Sequence, residues 1–208
     1  MLLVWVEQVM REQGDAVPPN EVHFDALLAA ARTSSGQAFE QLFRTYAPKV
    51  RGYLRARGAA EPDELTNDTF VAVFRSLERF DGDEAAFRSW LFTIARNRLV
   101  DERRRRARQV ETVAADVPDA VEVSGGDVET EALANLGDEW AAGVLTQLAP
   151  DQRDVLLLRI IADLTIEQIA QLLGKRPGAV KALQRRGLAA VKRVLDRQGV
   201  PLDHPVDV

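Results

Sequence analysis

Seven arginines lie between Arg96 and Arg108 against only Asp101 and Glu102, a local balance of +5. Eight basic residues lie between Lys175 and Arg197 against Asp196, a balance of +7. Between the two blocks, Gln109 to Glu139 carries nine acids and no lysine or arginine, and the whole chain is −5. Positive charge placed this way is the footprint of phosphate binding, because clustered cations displace the counterions that condense on a nucleic acid. Covalent chemistry has few candidates. There is no cysteine, which excludes disulfides, thiolate metal sites and thiol nucleophiles, and the only histidines, His23 and His204, lie near opposite ends of the sequence. The carboxylate pairs Asp63/Glu64 and Asp81/Asp83 would suit a metal-dependent hydrolase, but no set has metal-ligand spacing and helix-end placement explains them better. No catalytic residue, metal or cofactor is expected.

The elements that must position these cations read as helices. Phe24, Leu27, Leu28 and Ala31 recur at helical spacing, as do Phe39, Leu42, Phe43, Tyr46, Val50, Tyr53 and Leu54, with Gly58 as a C-terminal stop. Pro62-Asp63-Glu64 opens a further helix whose apolar stripe is Leu65, Thr69/Phe70, Val73, Phe74 and Leu77. Phe80 to Asp83 breaks it, and another helix is expected from about Glu84 towards Arg106. The stretch from Val110 to Asn135 is acidic, holds Pro118 and Gly125-Gly126, and has no period, so it reads as a linker. Helices return over Trp140–Leu148, Pro150–Ile161, Ile166–Leu173 and Pro177 to about Arg197. The expected fold is all-α: two small helical domains, roughly 20–108 and 136–200, joined by an acidic tether.

The sharpest local pattern is Leu164 to Gly174. Thr165 with Gln168 three residues later matches a capping box, Ala170 is small where a second helix crosses, Gly174 suits a tight turn, and Pro177 fits the first turn of the next helix. On that helix Val180, Leu183, Gly187, Val191 and Val194 share one face, opposite Lys181, Arg185, Lys192 and Arg193. This is the pattern of a helix-turn-helix whose outer face enters the major groove, where Lys and Arg hold phosphates and Arg or Gln read base edges. The plainer reading is a helical hairpin with a solvated basic face.

The second pattern runs from Phe87 to Arg106. Phe87, Leu91 and Ile94 share a core face, while Trp90 beside Arg88, Arg96, Asn97 and the arginine run could stack on unpaired bases. Core packing and DNA contact both remain open for Trp90.

The order Ala38-Phe39-Glu40-Gln41-Leu42-Phe43, then Asp63 to Phe70, then Phe87 to Asp101, then the helix-turn-helix, resembles the extracytoplasmic function (ECF) branch of the bacterial sigma-70 family, over about residues 24–197. The resemblance implies two domains: a region 2-like domain over 24–108 and a region 4-like domain over 136–198. It implies that Asp63, Glu64, Asn67 and Asp68 contact the β′ clamp helices of core RNA polymerase, with the β flap a further polymerase contact. It implies that Asp81, Arg88, Trp90, Arg96, Asn97, Arg103 and Arg104 open and hold the −10 promoter element. Lys175, Arg176, Lys181, Gln184, Arg185 and Arg186 would read the −35 element. The linker, 109–135, would thread near the active-site cleft and RNA exit path of polymerase. An anti-sigma factor joins promoter DNA and polymerase among the candidate partners. Departures from the family pattern include Asn67 where Gln is common, Ala179 where Thr is frequent, and Lys175-Arg176 at positions often apolar or hydroxylic.

Two further expectations follow. The free protein would hide its DNA-binding surfaces by packing its two domains together or against an anti-sigma factor. The apolar start, Met1 to Val6, is too short for a secretory core and lacks a preceding basic region, and no apolar run approaches the ~20 residues of a membrane span, so a cytoplasmic location is expected. A stand-alone helix-turn-helix regulator is the competing reading; it would bind its operator without polymerase. Residues 1–20 and the tail after Gly199 carry no interpretable motif, and the flanks of the two domains are taken as an N-terminal extension over 1–23 and a C-terminal tail over 199–208.

Overall fold

The computed structural model describes residues 21–114 and 143–198; the segments 1–20, 115–142 and 199–208, which include most of the expected linker, lie outside the described residues. The helices are α1 (Glu21–Arg32), α2 (Gly36–Ala56), α3 (Pro62–Ser76), α4 (Glu84–Ala114), α5 (Pro150–Ile160), α6 (Ile166–Leu173) and α7 (Pro177–Arg197), with a 3-10 turn at Leu77–Arg79 and a helical turn at 143–146. No strand occurs among the described residues.

Local chemistry sets most helix starts. The Ser35 hydroxyl accepts the Ala38 amide at 3.4 Å to cap α2, and Asp83 accepts the Ala86 amide at 2.7 Å at the head of α4. Pro62 and Pro150 occupy first turns, where the missing N–H costs nothing, and Asp63, Glu64 and Asp151 complement the positive end of the helix dipole.

Three lengths differ from expectation. Helix α4 continues to Ala114, past Arg106 and into the stretch read as linker, because Gln109 to Ala114 contains neither glycine nor proline to stop it. The helix expected from Asp63 to Phe80 tightens to 3-10 geometry after Ser76. Of the helix expected over Trp140–Leu148, residues 143–146 are helical and 140–142 lie outside the described residues.

In the first domain, α1 to α4 close around an aromatic core. Phe87 packs on Phe24 at 5.4 Å and on Tyr46 at 5.3 Å, and Tyr53 meets Phe92 edge-on at 5.5 Å. In the second domain, Leu156, Val191, Val194 and Leu195 pack with Val144 and Leu148 into a small cluster of their own. The larger core does not stop at the domain boundary. Buried Val155, Leu157, Leu158, Ala162, Leu164 and Ile169 form one contiguous apolar body with α1 to α4. The two domains are therefore packed against each other.

Candidate nucleic-acid interface

Helices α5, α6 and α7 form the helix-turn-helix. Thr165 accepts the Gln168 amide at 3.2 Å while Gln168 Oε1 accepts the Thr165 amide at 2.8 Å, so the capping box is closed in both directions. Gly174 ends α6 in the left-handed region (φ 63°), and the Lys175 amide then reaches back to the Ala170 carbonyl at 2.8 Å. That turn sends the chain directly into α7 at Pro177. Val180, Gly187, Val191, Val194 and Leu195 form the buried face of α7. Gly187 is a close crossing: a Cβ there would sit 3.0 Å from Leu156 Cδ1. The opposite face leaves Arg176, Lys181, Arg185, Arg186, Lys192 and Arg193 exposed, with Gln184 half-buried. Lys175 is different. Its ammonium is tied to Asp151 at 2.8 Å, which removes it from the free cations of that face.

On α4 the expected strand-handling residues divide between two faces. Trp90, Asn97 and Arg104, each seven residues apart, lie on one stripe. Asn97 and Arg104 are exposed there, and Trp90 is half-buried against Phe80. Arg88, Arg96 and Arg103 lie on the opposite side and are engaged within the molecule. Arg88 pairs with Glu84 at 3.2 Å and with Asp163 of the second domain at 3.5 Å. Arg96 is half-buried within electrostatic reach of Asp154 and Tyr53. Arg103 donates to the backbone carbonyl of Arg57. Asp81, exposed in the loop before α4, lies 3.6 Å from Arg32, which also donates to the Phe80 carbonyl and so ties the loop to α1.

The seam between the domains holds residues that sequence reasoning missed. Arg57, just past α2, forms an ion pair with Asp154 of α5; their side chains are only 10% and 6% exposed. Burial pushes the Asp154 carboxyl above its ordinary range, outweighing the opposing pull of Arg57 and Arg96. Gln168, besides closing the capping box, donates from Nε2 to the Ala85 carbonyl across the seam at 3.1 Å. Asp154 sits between Arg153 and Val155-Leu156-Leu157-Leu158, and an acid abutting so long an apolar run was its one available signal.

Helix α3 carries the four residues expected at a polymerase contact. Asp63 pairs with Arg51 at 3.0 Å, and Glu64, Asn67 and Asp68 are exposed. Val71, four residues past Asn67, continues their stripe and is the exposed large hydrophobic among the described residues, at 46%. A valine in the polar phase of an amphipathic helix was the overlooked signal. Among the described residues no cluster of His, Asp or Glu could hold a metal ion, and no helix is long and apolar enough to cross a membrane.

A helix-turn-helix with a cationic outer face, packed on a helical domain with its own arginine-rich helix, defines a two-domain, all-α DNA-binding protein. The family models for sigma-70 region 2 and sigma-70 region 4 match residues 42–109 and 139–191. The RNA polymerase sigma factor CnrH of Cupriavidus metallidurans is 33% identical over 182 residues, 83% of this chain and 94% of that protein. CarQ of Myxococcus xanthus, another RNA polymerase sigma factor, is 32% identical over 168 residues, 79% of this chain and 92% of that protein. The ECF sigma factor BldN of Streptomyces coelicolor is 30% identical over 171 residues, 81% of this chain and 64% of that longer protein. The solved structure of CnrH in complex with the cytosolic domain of CnrY has the same fold, with TM-score 0.59, 24% identity and coverage of 84% of this chain and 97% of that one. The chain belongs to the ECF branch of the sigma-70 family of RNA polymerase sigma factors.

Proposed function

We propose that this sigma factor works as a two-point clamp with no chemistry of its own: α3 docks on core polymerase, α7 reads the −35 element and the exposed stripe of α4 handles the −10 strand. The observation that carries this reading is the pairing of two separate cationic helices, one on each domain, with an acidic and cation-free connection between them. The working units are 24–108 for core binding and melting, 109–135 as linker and 136–198 for the −35 element, flanked by an extension over 1–23 and a tail over 199–208. Glu64, Asn67, Asp68 and Val71 give α3 a mixed polar and apolar stripe suited to a partner helix, here the β′ clamp helices.

Reach supports the division of labour. Elements centred at −10 and −35 lie about 25 base pairs apart, about 85 Å along B-DNA at ~3.4 Å per pair. A segment of 28 residues, the number between Ala114 and Gly143, has a contour length of at most about 95 Å, so chain length alone is compatible with both contacts at once. Joining two weak contacts through one chain raises the affinity of each by effective concentration. Melting then draws on binding energy, as non-template bases are captured beside Trp90. Action on a polymerase implies work in the cytoplasm, and an anti-sigma factor is a fitting regulator, as the solved complex of the sigma factor RpoE with the anti-sigma factor NepR from Bartonella quintana has it for that protein.

The test is run-off transcription with purified core polymerase over promoter fragments. Specific transcripts that need both core and this chain support the reading. Operator binding of equal affinity with and without core, and no transcripts, would favour the stand-alone regulator.

A further inference from the structure

Arg32 stands outside both basic blocks of the sequence, at the last position of α1. A lone arginine at a helix C-terminus has a plain explanation, since a cation there complements the helix dipole. Its contacts say more. The guanidinium reaches 48 residues along the chain to donate to the Phe80 carbonyl, and it lies 3.6 Å from Asp81. The Asp81 carboxylate is fully exposed, so solvent screens that pair and the carbonyl bond is the one that fixes position. Arg32 Nε is buried with no hydrogen-bond partner. A buried donor left unmet costs stability, so Arg32 is a poor choice for a residue that serves stability alone.

The loop that Arg32 holds is fixed at other points by α4. The Phe80 ring stacks on Trp90 at 4.9 Å and meets Phe87 edge-on at 5.7 Å. Asp83 accepts the Ala86 amide at 2.7 Å. Gly82, at φ 150°, closes the turn: a Cβ there would sit 2.8 Å from Ala86 Cβ and 3.2 Å from Phe80 Cζ. These contacts anchor the Phe80 side chain and the far end of the loop. None of them acts on the Phe80–Asp81 peptide, whose carbonyl is what Arg32 grips. Rotation of that peptide re-aims the exposed Asp81 carboxylate.

We propose that Arg32 is a positioning residue for −10 recognition: from α1 it sets the orientation of the Asp81–Gly82 tip, and thereby how sharply the tip discriminates among bases of the opened strand. Arg32 itself touches no base. A carboxylate only accepts hydrogen bonds, and an accepted bond weakens steeply once misaligned. Asp81 therefore tells one base edge from another only while its backbone is held. The residue type fits the task. One guanidinium faces the Phe80 carbonyl and the Asp81 carboxylate at once because its donors are set in a rigid planar fork, a geometry that a lysine ammonium lacks.

The inference rests on the sigma-factor reading, so its test has one arm that does not. In the free full-length chain, hydrogen exchange is followed at the Phe80 and Ala86 amides, the two bonded amides at the ends of the loop. Arg32→Ala should quicken exchange there and leave the rest of the first domain unchanged; unchanged exchange at both amides overturns the proposal. In the second arm, reconstituted holoenzyme transcribes a promoter set carrying each of the four bases at each position of the −10 element. For Arg32→Ala, the ratio of output between best and worst base should fall by about fivefold or more at one position, the scale of one lost base contact. Ratios at the other positions should hold. Arg32→Lys, which keeps the cation at the end of α1, carries the test where Arg32→Ala does not fold. It should show a smaller loss at the same position and nowhere else, and parental ratios in it overturn the proposal. A purely structural role lowers output on every promoter alike and leaves all ratios unchanged. That result overturns the proposal even where exchange has quickened, and so does a loss of discrimination at every position. Absence of transcripts from the unmodified chain would sink the sigma-factor reading itself, whereas the exchange arm would still report whether Arg32 holds the loop.

Discussion

Phe80 and Trp90 lie ring on ring, their centroids 4.9 Å apart and their planes 23° from parallel. Trp90 also touches Phe87 at 5.9 Å, so one side of the indole braces the Phe80–Asp83 loop while the side chain stays half-buried. Core packing and DNA contact are therefore not exclusive for this residue. Trp90→Ala removes the brace and should cost about 2–4 kcal/mol, less than a fully buried aromatic. Trp90→Phe keeps a ring in the stack and should stay within about 1.5 kcal/mol of the parent. Urea denaturation measures both, and permanganate reactivity of promoter thymines in the presence of core shows whether Trp90→Phe, still folded, loses strand opening.

Glu102 sits inside the arginine run yet is only 8% exposed. Its carboxylate accepts the Ala60 amide at 3.4 Å and pairs with Arg106 at 3.4 Å, fixing the basic end of α4 to the chain that leaves α2. Glu102→Ala leaves an N–H without its acceptor and removes a charge that offsets neighbouring arginines; a loss of about 1–3 kcal/mol is expected. Glu102→Gln keeps an acceptor for Ala60 and should recover about half of it. The urea midpoint of each variant checks the order.

Helix periodicity made the core legible because it needs only neighbours in sequence: Leu42, Tyr46, Val50, Tyr53 and Leu54 were placed by spacing alone and are buried. The capping box and Gly174 were equally local, and both have the geometry their residue types require. Glu102 and Asp154 were not legible, since their partners lie 42 residues away at Ala60 and on the far side of the linker at Arg57. The division of the α4 arginines into an engaged and a free face was hidden for the same reason. A charge count treats Arg96 and Asn97 as neighbours, but a helix turns them 100° apart, and only the packed second domain decides which side is covered.

Both tyrosines of the chain resist ionisation. Burial, followed by the Asp154 carboxylate, pushes Tyr53 up to about 12, and burial with a hydrogen bond donated to Glu84 at 2.8 Å raises Tyr46 as well. An unfolded chain releases phenolic protons near ~10, whereas the folded chain keeps them to higher pH. Above that point the folded state binds more protons, so stability falls as pH rises. The contribution is complete below the ordinary tyrosine value and lost on the way to the raised one. Tyrosinate absorbance should therefore appear together with alkaline unfolding rather than before it. Tyr53→Phe should shift the alkaline midpoint upward but leave the Tyr46 part of the transition, measured by circular dichroism and absorbance on one sample.

Lysines and arginines at the head of α7 differ in what they are free to do. Arg185 and Arg186 are exposed on the outer face, while Lys175 is already paired with Asp151 and its side chain is 31% exposed. A cation that neutralises a phosphate contributes about one unit to the slope of log affinity against log salt. A cation held by an internal carboxylate must first give up that partner and contributes less. Promoter binding by the reconstituted holoenzyme, followed from low to moderate salt, should lose about one unit of slope for each of Arg185→Ala and Arg186→Ala that contacts a phosphate. Where either residue reads a base edge instead, affinity falls by about 1–3 kcal/mol on the cognate −35 sequence only, with little change of slope. Lys175→Ala should change the slope by well under one unit, and Asp151→Asn, by freeing that ammonium, should steepen it. A Lys175→Ala slope change as large as that of Arg185→Ala would mean that the ion pair with Asp151 does not survive on DNA.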